Sequence, residues 1–455
     1  METRSVLQLD QAISGDSIAD NDRFMDIMKT ASLLDRAIAV LRLNDTGVFT
    51  KPGPHQYPHQ WNWDSALIAL GLSYFDLPRA QAEIRSLLSG QWRDGMLPSV
   101  VYHSIPSDYF PHPQFWQIEN SPNAPAVQTT GITQPPLLAT VVRLIHERLA
   151  IPEFVAEVYP ALLHWHRWLH TDRDADGSGL ACIIHPWESG TDDSPRWLHL
   201  FEAIHPEALP EFQRGDTRYV AATERPNRTE YERFIYLIDI FRQHNYVSSE
   251  LLAHSPFLAQ DILFNAILFR ANEDLRALAV NLGESTDEID LWLRRVRSNF
   301  DARFWNENLG LYYDYDRRTG RSIPVNTAST FLPLFAGLPS QEQAQRLIEG
   351  HLLNPAEYAP GGEVRHWVTT TAQTEPTWEP RRYWRGPVWV IMNWLILEGL
   401  RRYGYNDLAA LIREDTMGLI ESAGFREYYD PRDASGCGST EFSWSAALAI
   451  ELMRD

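Results

Sequence analysis

The segment HPWESGTDDSPRW, residues 185–197, sets Glu188, Asp192 and Asp193 around a Gly-containing turn between Trp187 and Trp197. Acids, glycine, serine and proline are ordinary turn residues. The indoles are not. An apolar wall disfavours the charged form of a neighbouring carboxyl, so an acid beside tryptophan can keep a proton near neutral pH and give it to a leaving group. Six further segments repeat the mixture: QYPHQWNWDSA (56–66), GQWRDGMLPS (90–99), GITQPP (131–136), ERPNRTEYERF (224–234), RYWRGPVW (382–389) and FREYYDPRDASGCGSTEFSW (425–444). They supply rings for stacking, amides and carboxylates for hydroxyl groups, and carboxylates left over for catalysis. That is the outline of a glycosidase.

Something must bring these segments together, and the text between them reads as helix. In SLLDRAIAVL, Leu33, Leu34, Ala37, Ile38 and Leu41 share one face; in PPLLATVVRLIHERL, Leu138, Val141, Val142, Ile145 and Leu149 do so after a double proline that suits a helix start. STDEIDLWLRRVRSNFDARFW opens with a capping-box pattern, Ser285 and Glu288. Helical text recurs near 79–90, 155–170, 230–243, 257–281, 340–352, 387–403, 406–421 and 442–453. GPVWVIMNWLILEGL is too short and too interrupted by Asn393 to span a membrane and predicts a buried helix. GLYYDYD and GLACIIH are short strand candidates of the hairpin kind. No Gly/Ser- or Pro-rich linker divides the chain. The expectation is an all-α fold: an N-terminal extension over 1–29, partly flexible, then one domain of about a dozen helices over 30–455, a barrel gathering its loops at one end.

The chain has 455 residues, 44% of them hydrophobic, and 60 acidic against 40 basic residues give a formal net charge of −20. A phosphate-tracking surface needs the opposite sign, so nucleic acid and anionic membranes are not expected partners. The N-terminal text shows no basic region followed by an apolar run, and the two cysteines, Cys182 and Cys437, have no metal-type spacing. Both features point to a reducing cytoplasm, with one long-range disulfide left open. DRDADG (172–177) opens like a calcium loop, but its twelfth position is Ile183 where a glutamate is needed, so it reads as a solvent turn. His166 and His170 lie one helical turn apart without the glutamate of a zinc protease, and read as helix-surface histidines. Walker, dinucleotide and Gly-x-Ser-x-Gly motifs are missing from the sequence. No metal and no cofactor are expected.

In order along the chain, QWNWDSA, WESGTDDSP, YWRGPVW and EYYDP…FSWSAAL resemble the signature segments of glycoside hydrolase family 63. The resemblance runs from about residue 30 to the C-terminus and implies an (α/α)6 barrel that inverts configuration at α-glycosidic bonds. YPHQWNWDSA, GITQPP and RPNRTEY look most like the bacterial glucosylglycerate and mannosylglycerate hydrolases. It implies Asp192 as general acid and Glu427 as general base, which an inverting enzyme holds roughly 6.5–9.5 Å apart, with the bordering tryptophans as apolar walls. Asp64 becomes a sugar ligand with Tyr57, Trp61, Trp63 and Gln134 as companions; Trp384 and Arg385 join them, and Glu188 orders the loop or binds a sugar hydroxyl. Asp193 stands where the family usually has asparagine. In the glycerate-releasing relatives an arginine and a tyrosine hold the glycerate carboxylate, and Arg225 and Tyr231 fit those positions. The expected substrate is therefore glucosylglycerate or mannosylglycerate. The alternatives are an α-glucosidase for neutral kojibiose-type disaccharides, a phosphorylase on the same barrel and a catalytically silent sugar binder. Relatives of this type often assemble, which leaves a homo-oligomer open.

Overall fold

Helix α1, Leu33–Leu43, starts where the Ser32 side chain accepts the Asp35 amide, and it buries Ala37, Val40 and Leu41. From there the chain alternates between outer and inner positions. The inner helices are α2 (Asn62–Leu72), α4 (Leu138–Leu149), α7 (Ile262–Leu282), α9 (Leu332–Ala336), α11 (Val390–Arg402) and α13 (Ser443–Arg454). Outside them stand α1, α3 (Leu77–Leu88), α5 (Pro152–Asp172), α8 (Asp287–Phe304), α10 (Gln341–Leu347) and α12 (Asn406–Ala423). Each inner helix packs on the next, and α13 closes the ring against α2. This is an (α/α)6 barrel, with further helices inserted in its long connections, the longest of them α6 (Arg228–Gln243) between α5 and α7. The computed structural model describes residues 31–103, 107–206 and 208–454, so the expected extension over 1–29 lies outside the described residues.

The two ends of the barrel differ. Inner-to-outer connections are short, as at 73–76, 150–151, 283–286, 337–340 and 403–405. Outer-to-inner connections are long: 44–61, 89–137, 173–261, 305–331, 348–389 and 424–442 all arrive at the N-termini of inner helices. The acid- and tryptophan-rich segments belong to these long connections. They therefore collect over one mouth, at the ends of the inner helices that carry partial positive charge.

Every residue of α2 is buried, and α11 is nearly so, because an inner helix touches neighbours all round. Asp64 thus sits in the first turn of a helix, not in a loop. Other expectations change as well. Cys182–Ile183 pairs with Ala259–Gln260, which pairs with Asp314–Asp316; these distant segments make one antiparallel sheet with Arg321–Ile323, and only the last pair is a local hairpin. The Ser285–Glu288 capping box does not form: α8 starts after Thr286, the Ser285 hydroxyl takes the Asp287 amide, and Glu288 pairs with Arg167 of α5 at 2.7 Å. His166 and His170 are buried instead of on the surface, both bonded to the Asn272 side chain of α7 at 2.7 and 2.9 Å. Asp176 of the 172–177 turn pairs with Arg303 and Arg317. Among the described residues no helix is long and apolar enough to cross a membrane, and both cysteines are free and buried.

Candidate active site

The mouth opens into a cavity of about 140 Å³ lined by residues from all but one of these long connections. Asp192 and Glu427 both face it. Asp192 occupies a tight turn closed by the Ser194 amide on the Thr191 carbonyl at 3.0 Å. Burial pushes its carboxyl up to about 7, with Asp193 and Glu427 adding to the effect and its own backbone amide and Arg225 opposing it. Trp187 lines the cavity on this side. Trp197 does not; fully buried, it donates through Nε1 to the Thr191 carbonyl at 3.1 Å and braces the turn from behind. Only one of the two bordering tryptophans is therefore a wall of the site.

Glu427 enters from the segment before α13 and is almost wholly buried. Its Oε1 accepts the Tyr57 hydroxyl at 2.6 Å, and its Oε2 accepts Arg225 Nη2 at 2.8 Å and the Ser439 amide at 2.9 Å. Three donors fix the position of the carboxylate. Arg225 also donates to the Tyr57 hydroxyl at 3.1 Å and lies 4.2 Å from the centre of the Tyr383 ring. Its Nε has no protein partner. An acid carrying its proton near pH 7 and a carboxylate organised by donors share one cavity, which is the pairing that hydrolysis of a glycoside by direct water attack requires.

A further part of the lining comes from the start of α2. Asp64, Trp61, Trp63, Tyr57 and Gln134 all line the cavity. Burial raises the Asp64 carboxyl well above the ordinary range, its own amide opposing and Glu427 adding to it. Gln134 accepts the Trp63 amide at 3.3 Å, tying the segment before α4 to the start of α2. Trp63 leaves no room above Gly190: a Cβ there would stand 2.6 Å from the indole, and Gly190 has φ +72, which favours glycine in any case. Trp384 lines the floor, stacked on Trp389 at 3.7 Å. Tyr231 completes the side formed by α6 and takes the Arg214 guanidinium over its ring at 4.5 Å.

Two expected ligands do not reach the cavity. Glu188 is fully buried, and its carboxylate is consumed by a bidentate pair with Arg173 (2.6 and 2.8 Å) and by the Ile184 and Thr133 amides. It orders the loop and leaves no oxygen for a sugar. Arg385 points the other way, holding Asp193 at 2.9 Å and Glu230 at 2.8 Å, with Arg382 bridging the same two acids. Asp193 is thereby turned from the cavity. Arg228, beside Tyr231 in sequence, is exposed and pairs with Glu232.

The cavity also has lining residues that the sequence did not single out. Tyr383 and Trp389 lay inside a segment already marked. Tyr109, Asp108, Asp216 and Arg218 lay in text with no periodicity or recognisable motif. Only folding places 108–111 and 215–219 on the same cavity as Asp192.

Known proteins resemble this chain in sequence and fold. The model of a mannosylglycerate hydrolase MGH1-like glycoside hydrolase domain matches residues 57–445. A mannosylglycerate hydrolase from Thermus thermophilus is 44% identical over 91% of this chain and 99% of its own. A glucosylglycerate hydrolase from Mycolicibacterium hassiacum is 32% identical over 92% of this chain and 97% of its own. A crystal structure of the Thermus thermophilus glycoside hydrolase family 63 mannosylglycerate hydrolase, in complex with Tris and D-glycerate, superposes with a TM-score of 0.87 and 43% identity, covering 93% of this chain and 100% of that one. Neutral trehalase from Saccharomyces cerevisiae, at 16% identity and a TM-score of 0.54, shares the fold. The cavity's acid, its organised carboxylate and the match along the chain lead to one conclusion: this protein is a glycoside hydrolase and belongs to the mannosylglycerate hydrolase MGH1-like family.

Proposed function

We propose that the enzyme hydrolyses mannosylglycerate or glucosylglycerate with inversion, Asp192 giving its proton to the glycosidic oxygen while Glu427 takes one from the attacking water. The observation that carries this reading is the contrast between the two carboxyl groups in one cavity. Asp192 sits where burial lifts it to about 7; Glu427 sits among the Tyr57, Arg225 and Ser439 donors. Asp64, Gln134, Trp61, Trp63 and Trp384 provide the ring and hydroxyl contacts of the sugar. For the aglycone we assign Arg225 and Tyr231, supported by their place in the cavity and by the unpartnered Nε of Arg225. The guanidinium does not offer a free two-pronged face, since Nη1 and Nη2 already hold Tyr57 and Glu427. It therefore serves the base as well as the substrate.

Residues 30–455 form one catalytic unit on this reading, in keeping with a ring that closes between its first and last helices. A reducing cytoplasm agrees with two free, buried thiols. The test is stereochemical. Proton NMR during the first turnovers should show the β-anomer of the free sugar accumulating from the α-linked glycerate substrate, ahead of mutarotation. Initial α-anomer refutes the two-carboxylate inverting mechanism.

A further inference from the structure

Asp192 lies between two residues that are each held from outside the turn. On one side, Asp193 is gripped by Arg382 and Arg385. On the other, and at both ends of the turn, stands Arg196. Its Nη2 donates to Thr191 Oγ1 at 2.6 Å and its Nε to Ser194 Oγ at 3.1 Å, so the first and last residues of the Thr191–Ser194 turn hang on one guanidinium. Arg196 is itself immobilised. Nη1 lies 2.9 Å from Asp261 Oδ1 and 2.9 Å from both oxygens of Asp314, and all three side chains are buried. Asp261 caps α7 through the Leu263 amide at 2.8 Å, and Asp314 takes the Ile262 amide at 2.8 Å from the central sheet. A rigid inner helix and a sheet strand thus reach the catalytic turn through a single side chain. None of the three residues lines the cavity.

We propose that Arg196, anchored by Asp261 and Asp314, is a positioning residue that aims the Asp192 carboxyl at the glycosidic oxygen by clamping Thr191 and Ser194. The proposal rests on the reading of Asp192 as proton donor. In that step the Asp192 proton passes to the glycosidic oxygen and the C1–O bond breaks, its electron pair leaving with glycerate. Water oxygen bonds to C1, and its proton goes to Glu427. A misaimed acid slows this step only when the leaving group needs the proton. Fluoride, which departs as the anion, does not. Chemistry with an α-glycosyl fluoride therefore uses the same sugar contacts and the same base while bypassing the acid.

The experiment compares mannosylglycerate and glucosylglycerate with the matching α-glycosyl fluorides in wild type, Arg196→Lys, Thr191→Val and Asp192→Asn. Arg196→Lys keeps a cation between the two aspartates but loses the fork. Thr191→Val keeps the shape at 191 and removes the oxygen that accepts Arg196 and also meets Ser189 Oγ at 3.1 Å, a contact within the turn itself, so it decides the matter should the lysine variant fail to fold. Misplacement of a catalytic group by about 1 Å costs on the order of 10²-fold. Both variants are expected to lose about 10–100-fold in kcat on the glycerate substrates, with KM nearly unchanged, and to stay within about threefold of wild type on the fluorides. Parallel loss on both substrate classes, or no loss on either, in a folded Thr191→Val protein overturns the proposal. Asp192→Asn separates the two levels: if it shows the split and Thr191→Val does not, only the positioning role falls. If it shows no split, the acid assignment fails and the positioning role with it.

Discussion

Replacing Asp192 by asparagine should stabilise the protein while disabling it, and only above a certain pH. The carboxyl is lifted from 3.8 to about 7 in the fold. Between those values the native state binds a proton that the unfolded chain has released, so stability falls as pH rises through the window and is flat on either side. At about 1.4 kcal/mol per pH unit the full cost is a little over 4 kcal/mol, to about the nearest unit. The carboxyl faces the cavity and its water, which screens part of this, leaving about 2–4 kcal/mol at pH 8. Asparagine pays none of it. Denaturation of wild type and Asp192→Asn from pH 4 to pH 8 should therefore give curves that meet near pH 4 and diverge with the variant above. Activity on the glycerate substrates should drop by about 10²–10⁴-fold. Parallel stability curves refute the claim that burial stores a proton on Asp192, whatever the activity does.

Glu427→Gln should lose about 10²–10⁴-fold in kcat on the glycosyl fluorides as well as on the glycerate substrates, because water activation is common to both; steady-state rates on the two classes check it. Arg225→Ala should raise KM for the glycerate substrates and also lower kcat on every substrate, since it strips a charged donor from Glu427; an effect on KM alone means the Glu427 pair is dispensable. Glu188→Gln should lower stability by about 3–5 kcal/mol by leaving the buried Arg173 guanidinium partly unpaired. The KM of protein that remains folded should be close to wild type, measured alongside its denaturation midpoint.

Much of the barrel is legible locally. An outer helix has one wet face and one dry face, so its periodicity survives in text such as SLLDRAIAVL, and α1, α3, α5, α8 and α12 fall close to where the pattern puts them. The inner helices α4, α7, α11 and α13 also lie close to the helical text, but two inner helices do not show themselves. α2 is buried on every side and opens with Asn, Trp and Asp, so it carries no amphipathic signal and reads as loop; α9, Leu332–Ala336, is too short to show a period at all. Burial also reverses the sense of His166 and His170, because a polar residue in an inner–outer helix contact looks like a surface residue until its partner, Asn272, arrives from another helix.

The same division runs through the site. Motif order, through its resemblance to a known family, suffices to mark Asp192, Glu427, Asp64, Gln134, Trp61, Trp63 and Trp384, and all of them line the cavity. Direction is a different quantity. Asp192 and Asp193 are adjacent carboxylates of one type, and one faces the cavity while the other is held by Arg382 and Arg385, nearly two hundred positions away in the chain. Glu188 and Arg385 carry the right chemistry for a sugar but spend it on buried charges, because a charge removed from water has to find an opposite charge nearby. Tyr109, Asp216 and Arg218 join the cavity through no local signal whatever. Which groups exist is written in composition and spacing. Which way they point depends on ion pairs and helix contacts between segments far apart in sequence, and those come into being only when the barrel closes.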